Sequence, residues 1–416
     1  MSGYVKRIKT KIPHSDREVD INVDGKTLIL TGGNGCGKTQ LLKFIYEKLK
    51  ASVIERKNYS LADVEQRLRS NQQALDGIGP AHQNYIRYSQ EIELLTLLLE
   101  EVKNPSIEIT NLDEFVVNYQ DLKALLTEFE AMRKSDITKP SSVSSLSSLR
   151  DKDKQFVQQP HQKISTSKLF EEFLVTNTVN QALSESERHT NDPIEAARID
   201  KWFAKLEADL RNLFEDDKLK LVFQSDTFSF EIHQPHKVPY SFQSLSSGFS
   251  SIMAVYADLI TKVSLRSIDP EKLTGVVLID EIDAHLHVSL QKKILSFLTE
   301  AFPKVQFIVT THSPFVVISI KDAVIYDLSK LEQVEDLSMY SYEAVLEGLF
   351  GVLPISNALQ QNIETLAELI EKPHIDVAEI QALLDKLPQD EDALDSESLY
   401  FVNSAKLVLN KAKKGE

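Results

Sequence analysis

The chain has 416 residues, 42% of them hydrophobic and 26% charged, which is typical of a soluble globular protein with two or three structural units. Its net charge of −15, from 62 acidic and 47 basic residues, disfavours a protein that coats nucleic acid with a basic surface, although it leaves room for a local basic groove. The single cysteine, Cys36, excludes an internal disulfide and a Cys-x-x-Cys zinc site. No apolar run is long enough to span a bilayer, so we expect a cytoplasmic protein without a membrane partner.

Residues 4–31 predict three strands that lead into a glycine-rich loop. Tyr4–Ile12 and Glu18–Val23 alternate apolar and polar residues, as half-buried strands do. Lys26–Thr31 contains the apolar run Leu28-Ile29-Leu30 and ends at the loop.

The loop reads Gly-Gly-Asn-Gly-Cys-Gly-Lys-Thr and opens an amphipathic segment over 41–49. Strand, glycine-rich loop and helix are together the context of a phosphate-binding loop, whose N–H groups and helix N-terminus hold phosphate oxygens. We expect Lys38 to reach the β- and γ-phosphates of ATP, and Thr39 to place its hydroxyl on Mg²⁺. The predicted nucleotide-binding residues are Gly32, Gly33, Asn34, Gly35, Cys36, Gly37, Lys38, Thr39 and Gln40.

Residues 54–103 carry apolar residues at alternating three- and four-residue spacing, on both sides of the breaker Gly77-Ile78-Gly79-Pro80. This pattern predicts a short antiparallel coiled-coil hairpin in which Asn71 could fix the register. The alternative is that both helices simply pack on the core.

The middle of the chain predicts a mixture of core and linker. Leu125–Met132 is a plausible core strand, after which Arg133 either approaches the nucleotide or has a structural or solvated role. Residues 138–167 are rich in Ser, Lys and Gln without apolar periodicity, which predicts a mobile loop or linker. Helices are predicted over 168–183 and 194–214, and strands over 219–223 and 228–233.

A further apolar strand ends directly in two carboxylates. Gly275–Ile279 reads Gly-Val-Val-Leu-Ile and runs into Asp280 and Glu281. Downstream of a phosphate loop, the carboxyl end of a buried strand is a suitable place for magnesium-binding and catalytic acids. We expect Asp280 to hold Mg²⁺ directly or through water, and Glu281 to polarise the attacking water. The alternative is a pair of solvated acids at the start of a loop.

Two other motifs flank this pair of acids. Leu245-Ser246-Ser247-Gly248 precedes a helical pattern over 250–263, and a serine hydroxyl with a glycine at a helix N-terminus forms an anion site. Phe307–Thr311 is an apolar strand that ends at His312. A lone histidine is more often structural, but this position favours a catalytic residue that senses the γ-phosphate and stabilises charge during hydrolysis.

Taken together, these motifs resemble those of ABC-type ATPases of the RecF, SMC and OLD group. The stretch Asp280–His287 is similar to the Asp-Glu-Pro-Glu-x-His-Leu-His of OLD-like ATPases, with Ile282 and Asp283 as departures. The resemblance covers residues 1–50 and 240–330. It implies an α/β ABC-type P-loop NTPase head with a short helical coiled-coil hairpin insert and a helical C-terminal region.

The resemblance also implies how two subunits cooperate. Ser246, Ser247 and Gly248 match the ABC signature, which in such proteins contacts the γ-phosphate bound to the opposite subunit. We therefore expect a homodimer or a higher even-numbered homo-oligomer with ATP between the subunits. Phe249 stands where many relatives have Glu or Gln, and is a departure from the signature.

Three more residues have expected places in this group. His285 and His287 are residue types that bind metals, but we expect them in the loop that crosses the dimer interface. Gln120 is a candidate for the Q-loop glutamine.

After a last strand over 323–328, the chain predicts a helical tail with amphipathic segments at 356–371, 375–387 and 392–413. OLD proteins carry a Toprim nuclease after the ATPase, and its acidic motifs have no convincing match here. The chain therefore resembles the ATPase subunit of PARIS-type antiphage systems, with Septu-like ATPases as a near alternative. That resemblance implies a sensor and scaffold that holds a separate Toprim-type effector nuclease and releases it when a phage protein is sensed.

Two other functions remain open. One is a RecF-like ATPase of DNA repair, whose partner is duplex DNA and whose hydrolysis DNA would stimulate in a salt-dependent way. The other is a transporter ATPase, which the hairpin insert disfavours.

The predicted units are residues 1–52, the N-terminal part of the head; 53–104, the hairpin insert; 105–137, a core segment of the head; 138–217, a flexible loop and helical lobe; 218–330, the C-terminal part of the head; and 331–416, the helical C-terminal region.

Overall fold

The computed structural model describes residues 3–158, 165–334, 336–352, 355–372, 376–388, 390 and 394–414. The chain divides into two compact units, Met1–Met339 and Tyr340–Glu416. The strands, in chain order, are β1 Val5–Lys11, β2 Glu18–Asn22, β3 Thr27–Thr31, β4 Ile107–Ile109, β5 Ala124–Phe129, β6 Lys220–Gln224, β7 Ser229–His233, β8 Tyr240–Ser241, β9 Thr274–Ile279, β10 Val305–Thr310, β11 Ala323–Asp327 and β12 Glu332–Val334.

The helices occupy most of the remaining described chain. They are α1 Lys38–Val53, α2 Leu61–Asp76, α3 Tyr85–Lys103, α4 Leu112–Gln120, α5 Leu146–Gln158, α6 Phe170–Glu185, α7 Pro193–Phe214, α8 Ser247–Leu265, α9 Val288–Gln291, α10 Ile294–Ala301, α11 Pro314–Val317, α12 Tyr342–Gly348, α13 Asn357–Glu371, α14 Val377–Leu384 and α15 Ser396–Lys414. No helix in this part of the chain combines the length and the apolar character that crossing a bilayer requires.

The first unit is built on a six-stranded sheet in the order β12–β11–β3–β10–β9–β5. All neighbouring strands are parallel except β12, which runs antiparallel to β11. A second sheet has the order β2–β1–β4 with antiparallel pairs, as the alternating pattern before the loop predicts. The predicted α/β head is therefore confirmed, and the parallel strands β3, β5, β9 and β10 end at the same edge of the main sheet.

The apolar runs of the sequence explain why this sheet is central. Every residue of β3 and β10 is buried, and so is β9 from Gly275 to Ile279, as expected for strands covered on both faces. Helix α1 covers one face through Leu41, Leu42 and Ile45, which join the same core as Leu28 and Leu30. These residues fix the direction of α1, whose first residue is Lys38.

The predicted helical hairpin is present as α2 and α3, which pack along each other. Val64 of α2 and Leu95 of α3 are buried, and Glu65 pairs with Lys103 at 3.7 Å across the two helices. At its base, Glu101 lies 3.0 Å from Lys48, which connects α3 to α1.

The prediction of a loop over 138–167 is wrong for residues 146–158, which form α5. Leu149 is buried, and four residues later the same face carries Asp153 rather than an apolar residue. The Asp153 carboxylate pairs with Arg266 through contacts of 2.8 and 3.1 Å, and both side chains are buried. Because Asp153 occupies a position of the buried helix face where an apolar residue is expected, the sequence does not show the apolar periodicity of a helix here. Residues 159–164 of the predicted loop lie outside the described residues.

The second unit has its own apolar core, shared by α13, α14 and α15. Ser356 and Asp376 cap the N-termini of α13 and α14 by accepting hydrogen bonds from backbone N–H groups. These helices match the predicted amphipathic segments, although residues 375, 392 and 393 lie outside the described residues. The core residues include Ile363, Leu366, Leu369, Ile380, Leu384, Val402, Ala405 and Leu409.

We expect Asp153→Ala to destabilise the first unit by about 3–5 kcal/mol, because it leaves the Arg266 charge buried without its partner. The measurement is urea unfolding followed by the fluorescence of Trp202, the only tryptophan of the chain. Asp151→Ala is the matched control, since Asp151 is an exposed acid on the same helix and its loss should change stability by less than about 0.5 kcal/mol. Equal unfolding midpoints for the two variants would contradict the prediction.

Candidate functional site

The glycine-rich loop connects β3 to α1 in the geometry expected of a phosphate-binding loop. Gly37 has φ +100°, and a Cβ at this position would lie 2.6 Å from Cγ2 of Ile12, so only glycine fits without strain. Asn34 and Gly35 are exposed, and so is Gln40 in the first turn of α1. Backbone N–H groups and the N-terminus of a 16-residue helix thus meet at an open loop, which suits an anion.

Lys38 is the first residue of α1, and its ammonium folds back over the loop. Its Nζ donates hydrogen bonds to the carbonyl oxygens of Gly32 and Gly33, at 2.9 and 3.0 Å. The side chain is buried, so the positive charge is held in place and directed to the loop. Cys36 lies beside it, with Sγ 3.8 Å from the Lys38 Nζ.

Asp280 joins the loop helix to the sheet. Its Oδ1 accepts hydrogen bonds from Thr39 Oγ1 at 3.1 Å and from Thr310 Oγ1 at 2.6 Å. Its backbone N–H donates to the carbonyl of Phe129 at 2.9 Å, so β5, β9, β10 and α1 all contact this one residue. A buried carboxylate beside a threonine hydroxyl fits Mg²⁺, which is commonly held by one or two protein oxygens together with phosphate and water.

Glu281 follows Asp280 in an uncommon backbone conformation. Its φ is +45°, in the left-handed region that disfavours residues with a side chain. The Glu281 N–H donates to Thr310 Oγ1 at 2.7 Å, so Thr310 holds both acidic residues. The Glu281 backbone is therefore held at the sheet edge, and its half-buried carboxylate is the kind of group that orients water as a base.

His312 lies at the end of β10, the strand between β3 and β9. Burial lowers the pKa of its ring, and the Lys38 ammonium lowers it further. The carboxylates of Asp280, Glu281 and Asp283 act on this pKa in the opposite direction. His312 therefore shares the electrostatic environment of both the loop lysine and the acids.

The signature residues lie at the start of α8. Ser246 is the residue that precedes the helix, and Ser246 and Ser247 are both exposed. Gly248 packs against the loop after the acids, because a Cβ there would lie 2.8 Å from the carbonyl oxygen of His285. Among the described residues, no hydrogen bond joins Ser246 or Ser247 to the phosphate loop of the same chain.

Phe249 has a packing role that explains its departure from the expected polar residue. Its ring stacks on Phe214 at the end of α7, with ring centres 4.2 Å apart and planes at 1°. This position therefore contributes to the contact between α7 and α8.

The candidate Q-loop residue Gln120 is not brought to the site. It is exposed at the end of α4, before β5 begins, whereas the site lies where β5 ends. The prediction for Gln120 is therefore wrong. The spacing of apolar residues in the sequence did not show at which edge of the main sheet this residue would lie.

His285 and His287 do not form a metal centre in the part of the chain that is described, where no group of three or more His, Cys, Asp and Glu side chains could hold a metal ion. His287 instead caps α9, with its ring accepting the N–H of Ser289. His285 is exposed on the loop beside Gly248.

Three residues, Arg17, Thr310 and Ser329, complete the site without a clear signal in the sequence. Ser329 Oγ accepts the N–H of Gly33 at 2.7 Å, and Arg17 donates to the carbonyl oxygens of Leu328 and Ser329. Thr310 is hidden in an apolar strand, where a hydroxyl next to a strand end was the only signal available. Ser329 follows the last strand of the main parallel set and could not be assigned to the loop without the fold.

The family described as "AAA domain, putative AbiEii toxin, Type IV TA system" matches residues 28–319, which include the glycine-rich loop, Asp280, Glu281 and His312 but not Arg17 or Ser329. The chain belongs to this family. The identification from the sequence of an ABC-type ATPase with Septu-like relatives is thereby confirmed.

Similar proteins include a "Septu protein PtuA" of Bacillus mycoides (strain KBAB4), which is 31% identical over 204 residues, or 45% of this chain and 28% of the relative. A "Retron Vc95 probable ATPase" of Vibrio cholerae serotype O1 biovar El Tor is 24% identical over 293 residues, or 69% of this chain and 50% of the relative. The chain thus spans half or less of the length of these curated relatives. A solved SMC head bound to the C-winged helix domain of ScpA aligns with 79% of this chain and 96% of its own, at 13% identity and a TM-score of 0.38.

We expect the His312 ring of the nucleotide-free protein to titrate below pH 6.5, the usual pKa of histidine, so that the ring is neutral at pH 7. Lys38→Met removes a nearby positive charge and should raise this midpoint. Because the folded-state pKa is depressed, the stability contributed by neutral His312 is present above pH 6.5 and is lost as the pH falls through the folded-state pKa.

The measurement is an NMR titration of the imidazole nitrogens, with His312→Gln used to assign the signal. Lys43→Met is the control, because Lys43 is an exposed lysine on the same helix and should leave the midpoint unchanged. A wild-type midpoint at or above 6.5, or one that Lys38→Met does not move, would show that the loop lysine does not act on His312.

Proposed function

We propose that this chain binds ATP with Mg²⁺ at the glycine-rich loop and hydrolyses it slowly. The observation that carries the proposal is the convergence on Asp280, whose Oδ1 receives Thr39 from the loop helix and Thr310 from the neighbouring strand. This contact places Thr39 and Asp280, the magnesium ligands of the proposal, next to the glycine-rich loop that the Lys38 ammonium covers. An ordinary turn between a strand and a helix would have no need of it.

The residues of this edge divide the chemistry between them. The loop N–H groups and Lys38 would hold the phosphates, while Thr39 and Asp280 would hold Mg²⁺, which supplies positive charge against the phosphate oxygens. Glu281 would orient a water molecule and accept its proton. His312, neutral at pH 7, would donate a hydrogen bond to the γ-phosphate side of the site.

The signature residues support a site completed by a second subunit. Ser246 and Ser247 are exposed at the start of α8 and make no hydrogen bond with their own loop among the described residues. The N-terminus of this 19-residue helix can serve an anion held by another copy. We therefore propose that ATP is bound between two copies, in a homodimer or a higher even-numbered oligomer, and that hydrolysis releases them.

The names of the relatives support a role in defence against phage. A Septu protein and a retron probable ATPase are similar to 45% and 69% of this chain, respectively. We propose that the protein is the sensor and scaffold subunit of such a system, and that it holds a separate Toprim-type effector nuclease until a phage protein is sensed. ATP-driven association would then control whether the effector is held.

We expect Glu281→Gln to lower ATP turnover by roughly 10²–10⁴-fold while ATP binding is retained, because the variant loses the base but keeps the phosphate site. In ATP and Mg²⁺ the variant should have the mass of a dimer or of a larger even-numbered oligomer, measured by light scattering after size exclusion. Lys38→Ala is the control and should lose both binding and assembly. Wild-type-like turnover in Glu281→Gln would remove Glu281 from the mechanism, and a nucleotide-bound monomer would rule out the shared site.

The defence role is tested by expressing the Glu281→Gln protein together with the proteins encoded beside it and purifying it in ATP. Recovery of a nuclease in a stable complex, and its release when a phage protein is added, is the expected result. A protein that instead retains duplex DNA, with hydrolysis that DNA stimulates and salt suppresses, would favour the repair function.

A further inference from the structure

The residues that follow β5 contact both halves of the candidate site. This segment, residues 130–138, is called the connector below. It begins next to Phe129, whose carbonyl accepts the N–H of Asp280 at 2.9 Å. Two of its side chains, Arg133 and Ile137, are buried, whereas Met132 is 90% exposed. The connector is therefore anchored at separate points and not packed along its whole length.

The first anchor is Arg133, which holds the backbone of the acidic loop. One guanidinium nitrogen donates to the carbonyl of Asp280 at 2.8 Å and to that of Glu130 at 3.2 Å. The other donates to the carbonyls of Glu281 and Ile282, at 3.2 and 3.0 Å. The planar fork of arginine thus spans three consecutive residues, which a lysine ammonium cannot do.

These contacts fall on the turn that carries the strained residue. Glu281 has φ +45°, and a conformation of this kind persists only where its surroundings hold it. Arg133 bonds to the carbonyls on both sides of Glu281 and to that of Glu281 itself. The guanidinium is thus in a position to set the direction in which the Glu281 carboxylate leaves the backbone.

The charge of Arg133 suits this location. Burial lowers its pKa to about 10, while Asp283, Asp280 and Glu281 act to raise it, so the group stays charged at pH 7. The hydrogen bonds described for Arg133 all go to carbonyl oxygens. Its charge therefore acts on the carboxylates of the acidic loop without a direct ion pair among the described residues. A neutral side chain of similar size would leave these carbonyls buried without donors, which is costly.

The second anchor lies on the signature helix. The N–H of Ser135 donates to Ser250 Oγ at 2.9 Å, in the first turn of α8 and two residues after Gly248. Gln243, just before the signature, donates to the carbonyl of Ile137 at 3.3 Å. One short segment therefore connects the start of α8 to the backbone of Glu281.

We propose that Arg133 is a positioning residue for Glu281, and that the connector makes the geometry of Glu281 depend on the position of the signature helix. When the start of α8 moves, Ser135 moves with it, and Arg133 shifts the turn that carries Glu281. The inference rests on the proposed function, because it describes how hydrolysis at the same site is regulated.

The first test is Arg133→Lys, which keeps a positive charge but cannot span the carbonyls. We expect kcat for ATP to fall by about 10- to 100-fold, the usual effect of losing a residue that orients a catalytic group. ATP affinity should change by less than about threefold, because the phosphate loop is not touched. Melting temperatures without nucleotide are measured in parallel. Equal losses of kcat and affinity, or wild-type turnover in a folded variant, would overturn the positioning role.

The second test uses a matched pair of serines on α8. Ser250→Ala removes the acceptor of the Ser135 N–H and should lower kcat without weakening ATP binding. Ser251→Ala is the control, since the buried Ser251 hydroxyl has no hydrogen-bond partner among the residues that the structure describes, and its loss should leave turnover unchanged. In the double variant Arg133→Lys/Ser250→Ala, kcat should fall no further than in Arg133→Lys alone, because both changes interrupt one connection.

Multiplicative losses in the double variant, or equal turnover in Ser250→Ala and Ser251→Ala, would overturn the coupling. Wild-type protein in the same assay separates this failure from that of the proposed function. If the wild type does not hydrolyse ATP, the ATPase proposal itself fails, whereas an active wild type with unaffected variants leaves the ATPase intact and removes the connector from it.

Discussion

One carboxylate oxygen, Oδ1 of Asp280, connects the parts of the candidate site. It accepts from Thr39 on the loop helix and from Thr310 on the next strand, while the Asp280 N–H bonds to the end of β5. These elements come from positions far apart in the chain, so the site exists only when the whole parallel sheet has formed. Burial of this acid is offset in part by the two hydrogen bonds that its Oδ1 accepts. Glu281, Lys38 and His312 surround Asp280 because the strands that precede them end at the same edge of the sheet.

Much of this edge could be predicted from the sequence, because its residues follow strands whose apolar runs are unbroken. Lys38, Asp280 and His312 each stand immediately after or close to such a run, and parallel strands bring their carboxyl ends together. The predicted residues thus reach one place, although their detailed contacts do not follow from their types. That Lys38 would bond to Gly32 and Gly33 depends on the fold of the loop.

The remaining features could not be predicted, because they depend on contacts between distant segments. Helix α5 was missed since Asp153 stands where its apolar face requires Leu or Val, and the partner Arg266 is more than a hundred residues away. Arg133 had both a structural and a nucleotide-binding interpretation, and only the positions of three carbonyls distinguish them. Nothing in the sequence around Ser329 indicates its role, because the hydrogen bond to Gly33 forms only when the fold brings the end of β11 next to the glycine-rich loop.

The signature helix shows how the same site can be both rigid and adjustable. Gly248 allows the start of α8 to approach the backbone at His285, and the stacked rings of Phe249 and Phe214 fix the helix against α7. A polar residue in place of Phe249 would leave the Phe214 ring without its partner, so packing explains this departure from the expected signature. The helix end is thereby held by apolar contact from one side and by hydrogen bonds to the connector from the other. Because the connector bonds both to the start of α8 and to the carbonyl of Glu281, a motion of this helix end is expected to reach Glu281 through the connector.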